Sequence, residues 1–209
     1  MKKLLLILLC FPIITIAQYG KKKSEKSQFE TIKIKDEMPY MDMKLKSING
    51  LSYSLKELTE KNGVIVIFTS NTCPFVIKWE DRYTMLEELA KKNNIGVAYI
   101  NSNYKKRKDD DSFENMKKHA AKYNYRFPYL LDEKSKVANS FGAKTTPHIF
   151  MFNKNLQLVY KGAIDDNYKD IAKVKEFYLK DAMEQLANGK KIKVSETDPV
   201  GCSIKRFKP

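Results

Sequence analysis

Across 209 residues, 39 lysines and arginines against 25 aspartates and glutamates leave a formal charge of +14. The basic clusters Lys21-Lys22-Lys23, Lys105-Lys106-Arg107-Lys108 and Lys190-Lys191 are scattered and lack interleaved aromatics, so they read as solvated faces and argue against a nucleic-acid partner. Hydrophobic residues make up 43% of the chain, enough for one domain with a full core.

Met1-Lys2-Lys3 followed by the apolar run Leu4–Ile16 and the small residue Ala17 has the layout of a secretory signal, too short for a permanent transmembrane helix. Cys10 lies inside that run. The expectation is an exported protein, periplasmic or extracellular, without stable membrane insertion. Residues 18–38 are polar and aperiodic and read as a flexible basic leader. A domain is expected over 39–189, followed by an irregular tail, 190–209, that carries Cys202.

From Met43 the pattern approaches alternation, and Asn49-Gly50 marks a hairpin turn. Ser54 and Glu57 have capping-box spacing and predict a short helix. Val64–Phe68 is a continuous β-branched and aromatic run, as in a strand covered on both faces. Pro74–Lys92 reads as a helix with Phe75, Ile77, Trp79, Met85, Leu86 and Leu89 on its packed face. Ile95–Ile100 is a second buried strand. Asp109-Asp110-Asp111-Ser112 precedes a helix carrying Phe113, Met116, Ala120 and Tyr123, and the acids suit that helix N-terminus. Phe127–Leu131 reads as an edge strand, Ser135–Phe141 as a helix stopped by Gly142, and His148–Phe152 with Leu156–Tyr160 as a hairpin. Tyr168–Asn188 reads as the last helix. This order describes an α/β three-layer domain with a mixed sheet.

Chemistry concentrates at Ser70-Asn71-Thr72-Cys73-Pro74, where a buried strand hands over to a helix. The first amides of a helix are unpaired and the peptide dipoles favour negative charge, so a thiol there is stabilised as thiolate. Outside the leader, Cys73 and Cys202 form an even pair in a chain sent to an oxidising compartment. They suit either a structural staple or a nucleophile with its partner. His148 either lies beside the site as a base or points to solvent. His119, beside Lys117 and Lys118, reads as surface. Arg82 reads as the partner of Glu80, Asp81 or another surface acid, Trp79 as helix packing, and Asp165-Asp166 as shaping a loop or capping the last helix. No metal site is expected.

Cys73-Pro74-Phe75-Val76, Asn101-Ser102-Asn103, Asp110-Asp111-Ser112, Phe127–Asp132, Tyr160-Lys161-Gly162 and Gly201-Cys202-Ser203-Ile204-Lys205, taken in order, resemble a peroxiredoxin-like branch of the alkyl hydroperoxide reductase/thiol-specific antioxidant (redoxin) family. The resemblance implies a thioredoxin-like fold, a central mixed β-sheet flanked by helices on both faces, with Pro147 as a cis-proline opposite the active cysteine. It implies a cofactor-free thiol oxidoreductase in which Cys73 attacks a peroxide or a disulfide and Cys202 resolves the product. Ser70 and Thr72 would supply hydrogen bonds, and Thr146, Pro147 and His148 would meet the substrate. A thiol reductant protein would restore the pair. The branch usually carries a cysteine where Ser70 stands, so exchange within the motif is replaced by a Ser70-x-x-Cys73 arrangement like that of peroxiredoxins. The alternative is a redox-inactive binding or structural module stapled by a Cys73–Cys202 bond.

Overall fold

The computed structural model describes residues 29–207. The secretory layout, Cys10 and the first part of the leader therefore lie outside the described residues. In chain order the strands are β1 (Leu45–Ser47), β2 (Ser52–Tyr53), β3 (Gly63–Thr69), β4 (Ile95–Asn101), β5 (Tyr129–Leu131), β6 (Thr145–Thr146), β7 (His148–Asn153), β8 (Leu158–Gly162) and β9 (Cys202–Ser203). The α-helices are α1 (Pro74–Lys92), α2 (Phe113–Lys122), α3 (Lys136–Phe141) and α4 (Tyr178–Ala187). Seven strands form one sheet in the order β2-β1-β5-β4-β3-β7-β8, and β6 pairs with β9 outside it. The sheet is mixed: β3, β4 and β5 run parallel, while β7, β8 and the β1–β2 hairpin are antiparallel additions.

Alternation along β3 divides the core. Ile65 and Ile67 join a cluster with Trp79, Tyr83, Leu86, Val97, Tyr99, Met151 and Leu179. Val64, Val66 and Phe68 join the other cluster, with Ile100, Leu130, Val137, Phe141, Phe150 and Phe152. Successive strand residues face opposite sides, so a strand covered on both faces is apolar throughout.

The helix bounds expected for α1 hold, but its packed face differs. Val76, Trp79, Glu80, Tyr83, Leu86, Glu87 and Ala90 are buried, whereas Ile77 and Met85 are exposed. The buried set follows the i, i+3, i+4, i+7 stripe of a 3.6-residue turn more closely than the apolar residues alone do. The same periodicity overturns the surface reading of His119. It shares a face with Met116 and Ala120, and it is buried with its Nε2 against the Glu80 carboxylate.

Other elements depart from expectation for local reasons. Ser54 and Glu57 exchange both capping-box hydrogen bonds, at 2.9 and 3.2 Å, yet only turns follow and no helix forms. β5 is not an edge strand, because β1 pairs along its outer side. The last helix begins at Tyr178, ten residues later than read, because the preceding segment is spent on α1. There Tyr168 packs on Phe75 and Trp79, and Arg82 donates to the Asn167 carbonyl at 2.7 Å. Residues 29–38, read as part of a flexible leader, are tied down by Ile32 N–H to Phe141, Lys35 N–H to Leu158 and Met38 N–H to Leu156. The tail is ordered over its described part. Its Ser195 carbonyl and Thr197 N–H pair with Lys161 on β8 before the chain crosses to β9. Among the described residues no helix is long and apolar enough to cross a membrane.

Arg82 does pair with Asp81, donating from Nη1 at 2.6 Å, but it is not a surface residue. It is 1% exposed and donates from Nε to Asp165 at 3.0 Å, while the Trp79 indole N–H donates to the other carboxylate oxygen at 2.9 Å. Removing Asp165 leaves the buried guanidinium only the half-exposed Asp81 as counter-charge and takes the acceptor from the Trp79 indole. Asp165→Ala is expected to lower unfolding stability by about 3–5 kcal/mol, read from urea denaturation.

His148 at the start of β7 is 2% exposed, and its Nδ1 accepts the Lys144 N–H at 3.1 Å. Burial first, then the charges of Lys144, Lys161 and Arg206, press its pKa down to about 3. The unfolded chain takes up that proton near pH 6.5 and the native protein does not, so stability is intact above pH 6.5 and is lost as pH falls from there towards 3. The slope reaches about 1.4 kcal/mol per pH unit for this one proton. His148→Asn, which keeps an acceptor for Lys144 but cannot titrate, is expected to show a shallower acid loss in urea midpoints measured between pH 7 and 4.

Candidate thiol site

Cys73 is the residue immediately before α1, with extended backbone (φ −72°, ψ 118°), and Pro74 opens the helix without an N–H to satisfy. The side chain makes no capping hydrogen bond to the helix amides. Its thiol instead donates to the Thr146 carbonyl at 2.9 Å. Thr146–Pro147 is a cis peptide bond, as the resemblance implied. The sulfur's residue is only 4% exposed.

The tail brings the second cysteine to this spot. β6 and β9 pair antiparallel with Thr146 opposite Cys202 and Thr145 opposite Ser203. Gly201 permits the approach, because a Cβ there would lie 2.2 Å from the Thr146 carbonyl oxygen. Both cysteines are free thiols, Cys73 buried and Cys202 partly exposed. Burial raises the Cys202 pKa to about 11, helped by a hydrogen bond with the Cys73 sulfur and by its charge, with Lys205 opposing. Two sulfurs separated by well over a hundred residues of chain are thus immediate neighbours.

The expected hydrogen-bond donors to Cys73 are elsewhere. Ser70 donates to the Asp111 carboxylate, at 3.2 and 3.3 Å to its two oxygens, and accepts the Thr72 N–H at 3.4 Å. The Thr72 residue itself is exposed. The Thr146 carbonyl, just before Pro147, does meet the sulfur, but the Thr145–Thr146 edge is occupied by β9. His148 lines a cavity of about 630 Å³ together with Lys144, Lys161, Glu196 and Asp198, a cavity that Cys73 does not line.

Asp111 is the residue that sequence reasoning misread. The capping role belongs to Ser112, whose Oγ accepts the Asn115 N–H at 3.3 Å. Asp111 is fully buried and accepts from the Asn71 N–H at 2.8 Å, Asn101 Nδ2 at 2.7 Å and Asn103 Nδ2 at 2.9 Å as well as from Ser70. Arg107, counted among the solvated basic clusters, turns inward to the carbonyls of Asp111 and Asn101 at 2.7 and 2.8 Å. The one available signal was Asn101-Ser102-Asn103 directly after a buried strand, a concentration of polar groups where the chain enters the interior. Among the described residues, no group of three or more His, Cys, Asp or Glu side chains could hold a metal ion.

Among solved structures, an uncharacterized conserved protein from Geobacillus kaustophilus is 28% identical, with a TM-score of 0.79 over 86% of this chain and 95% of that one. A hypothetical protein from Sinorhizobium meliloti 1021 is also 28% identical, with a TM-score of 0.78 over 88% of this chain and all of that one. A putative thiol:disulfide interchange protein DsbE from Chlorobium tepidum shares the fold at 16% identity and a TM-score of 0.57, over 76% of this chain and 98% of that one. No curated protein matches. The Redoxin family model matches residues 33–177, most of the described domain. With that match, a mixed sheet between helical layers and a cysteine opening the helix after the central strand, this chain belongs to the redoxin family and has a thioredoxin-like fold.

Proposed function

We propose that the chain is an exported thiol–disulfide oxidoreductase whose working groups are Cys73 and Cys202. The observation that carries this reading is the pairing of β9 with the strand before cis-Pro147, which sets the tail cysteine against the thiol at the start of α1. The Cys73 thiolate attacks one sulfur of a substrate disulfide, forms a mixed disulfide and expels the other sulfur as a thiolate. Cys202, once deprotonated, attacks the Cys73 sulfur, expels the second substrate thiolate and leaves a Cys73–Cys202 disulfide. A thiol reductant protein returns both cysteines to thiols by two-electron exchange.

The proton on Cys202 orders these steps. While Cys73 is a free thiolate, its charge and hydrogen bond help hold the Cys202 pKa up at about 11. Once Cys73 is committed to a mixed disulfide that charge is gone, and burial alone still raises Cys202. The resolving thiol becomes easier to ionise when it is needed.

Disulfide exchange is favoured over peroxide reduction because cleaving an O–O bond calls for donors aimed at the departing oxygen. Ser70 is committed to Asp111 and Arg82 to Asp165. β9 also fills the Thr145–Thr146 edge, which favours small disulfides over extended protein segments unless the tail is released. The low exposure of Cys73 supports a second reading, in which the two cysteines form a permanent staple in a redox-inactive module. A potential below about −300 mV would select that reading. The secretory layout of residues 1–17 supports export, and secretion of the full-length chain with loss of the leader would test it.

Glutathione disulfide supplies the first test. Cys202→Ser is expected to accumulate a glutathione adduct on Cys73, Cys73→Ser to accumulate none at position 73, and the unmodified pair to end as an internal disulfide, all read by intact mass. The reading fails if Cys202→Ser stays unmodified under conditions that modify a simple thiol. The second test is electrostatic. In Cys73→Ala the negative neighbour is absent, so the Cys202 pKa should fall below about 11, and the rate of its alkylation against pH should move to lower pH.

A further inference from the structure

We propose that Asp111 is the positioning residue of the thiol pair, holding the Cys73 turn and the Cys202 tail in one frame through Asn103. The proposal rests on the dithiol reading above. On one side the Asp111 carboxylate accepts from Ser70 Oγ and the Asn71 N–H, the two residues that lead into Thr72 and Cys73. On the other it accepts from Asn103 Nδ2 at 2.9 Å, and the Oδ1 of the same Asn103 amide accepts the Lys205 N–H at 2.8 Å. Lys205 is three residues beyond Cys202, and its carbonyl is held in turn by the Lys105 N–H at 3.0 Å. One buried carboxylate and one buried amide therefore join the backbones on either side of the two sulfurs.

The rest of the frame is equally saturated. Asn71 Oδ1 accepts the Tyr129 hydroxyl at 2.9 Å, that hydroxyl accepts from Asn101 Nδ2 at 3.0 Å, and Asn101 Nδ2 also reaches Asp111 at 2.7 Å. A carboxylate is an acceptor only, and its two oxygens can take all of these donors at once. Asp111, Asn101 and Asn103 are all buried, so a mismatched partner leaves a polar group without water to replace it. β9 has two residues and cannot hold its own register. The Asp111–Asn103 link anchors the tail close to Cys202 and independently of the β6 pairing, ahead of the contacts of Arg206 with Asn139 and Ala143.

The stability of a disulfide relative to its two thiols measures the effective concentration of one sulfur at the other. Asn103→Ala removes the tail link and leaves Asp111 its contacts to Ser70, Asn71 and Asn101. It should lower that effective concentration about tenfold, making the potential less negative by about 30 mV, read in glutathione redox buffers with intact mass. Asp111→Asn replaces an acceptor with a donor facing other donors. It should shift the potential in the same direction, and Asn103→Ala should add little on top of it. Ile95→Val, a core truncation at the far end of β4, should lower stability and leave the potential unchanged.

Should Asp111→Asn fail to fold, Asn103→Ala against Ile95→Val still decides the matter. A wild-type protein that titrates while Asn103→Ala keeps its potential would overturn the positioning role alone. So would an equal shift in Ile95→Val. A wild-type protein that never forms the Cys73–Cys202 bond would overturn the dithiol reading, and this proposal with it.

Discussion

The contact on which the site depends is a two-residue pairing between Cys202–Ser203 and Thr145–Thr146. So short a ladder has little strength of its own, and its geometry is supplied by what surrounds it. Thr146 directly before Pro147 is buried, Gly201 lets the tail approach its carbonyl, and Ile204 and Lys205 continue into contacts with Lys144 and Asn103. The Thr146 carbonyl accepts the Cys73 thiol, while the strand opposite Thr146 delivers Cys202. The strand before cis-Pro147 and the tail cysteine thus meet in one two-stranded element.

Two buried carboxylates organise the two ends of this arrangement. Asp111 draws the turn before α1, the end of β4 and the tail around a single acceptor. Asp165 draws the loop after β8 onto α1 through Trp79 and Arg82. Each carboxylate is expensive to bury and is retained with several partners, as low-dielectric interiors require. Between them they hold the first half of α1, the helix that Cys73 immediately precedes.

Much of the fold was legible because it follows from periodicity. The continuous run Val64–Phe68, the bounds of α1 and the Gly142 stop of α3, with its left-handed φ of 58°, follow from local rules about burial, proline and glycine. The strand–helix junction was legible for the same reason, since a buried strand followed by Cys73-Pro74 places a thiol before a helix by chain order alone. The charged and polar residues were harder to place. Arg82, His119 and Arg107 carry groups that usually stay in water and read as surface, and Asp111 reads as helix-capping charge. Each is turned inward because a partner from another element meets it.

By itself the sequence determined the layered α/β scaffold and which cysteine stands at the strand–helix junction, because strand burial and helix initiation are encoded by neighbours along the chain. Only the tertiary structure decided that Cys202 lies against Cys73, that Ser70 serves Asp111 and not the sulfur, and that Tyr168 packs a loop onto α1 instead of starting a helix. Those outcomes depend on encounters between residues tens to more than a hundred positions apart. Which donor meets which acceptor there is settled by three-dimensional packing, and no local pattern carries that information.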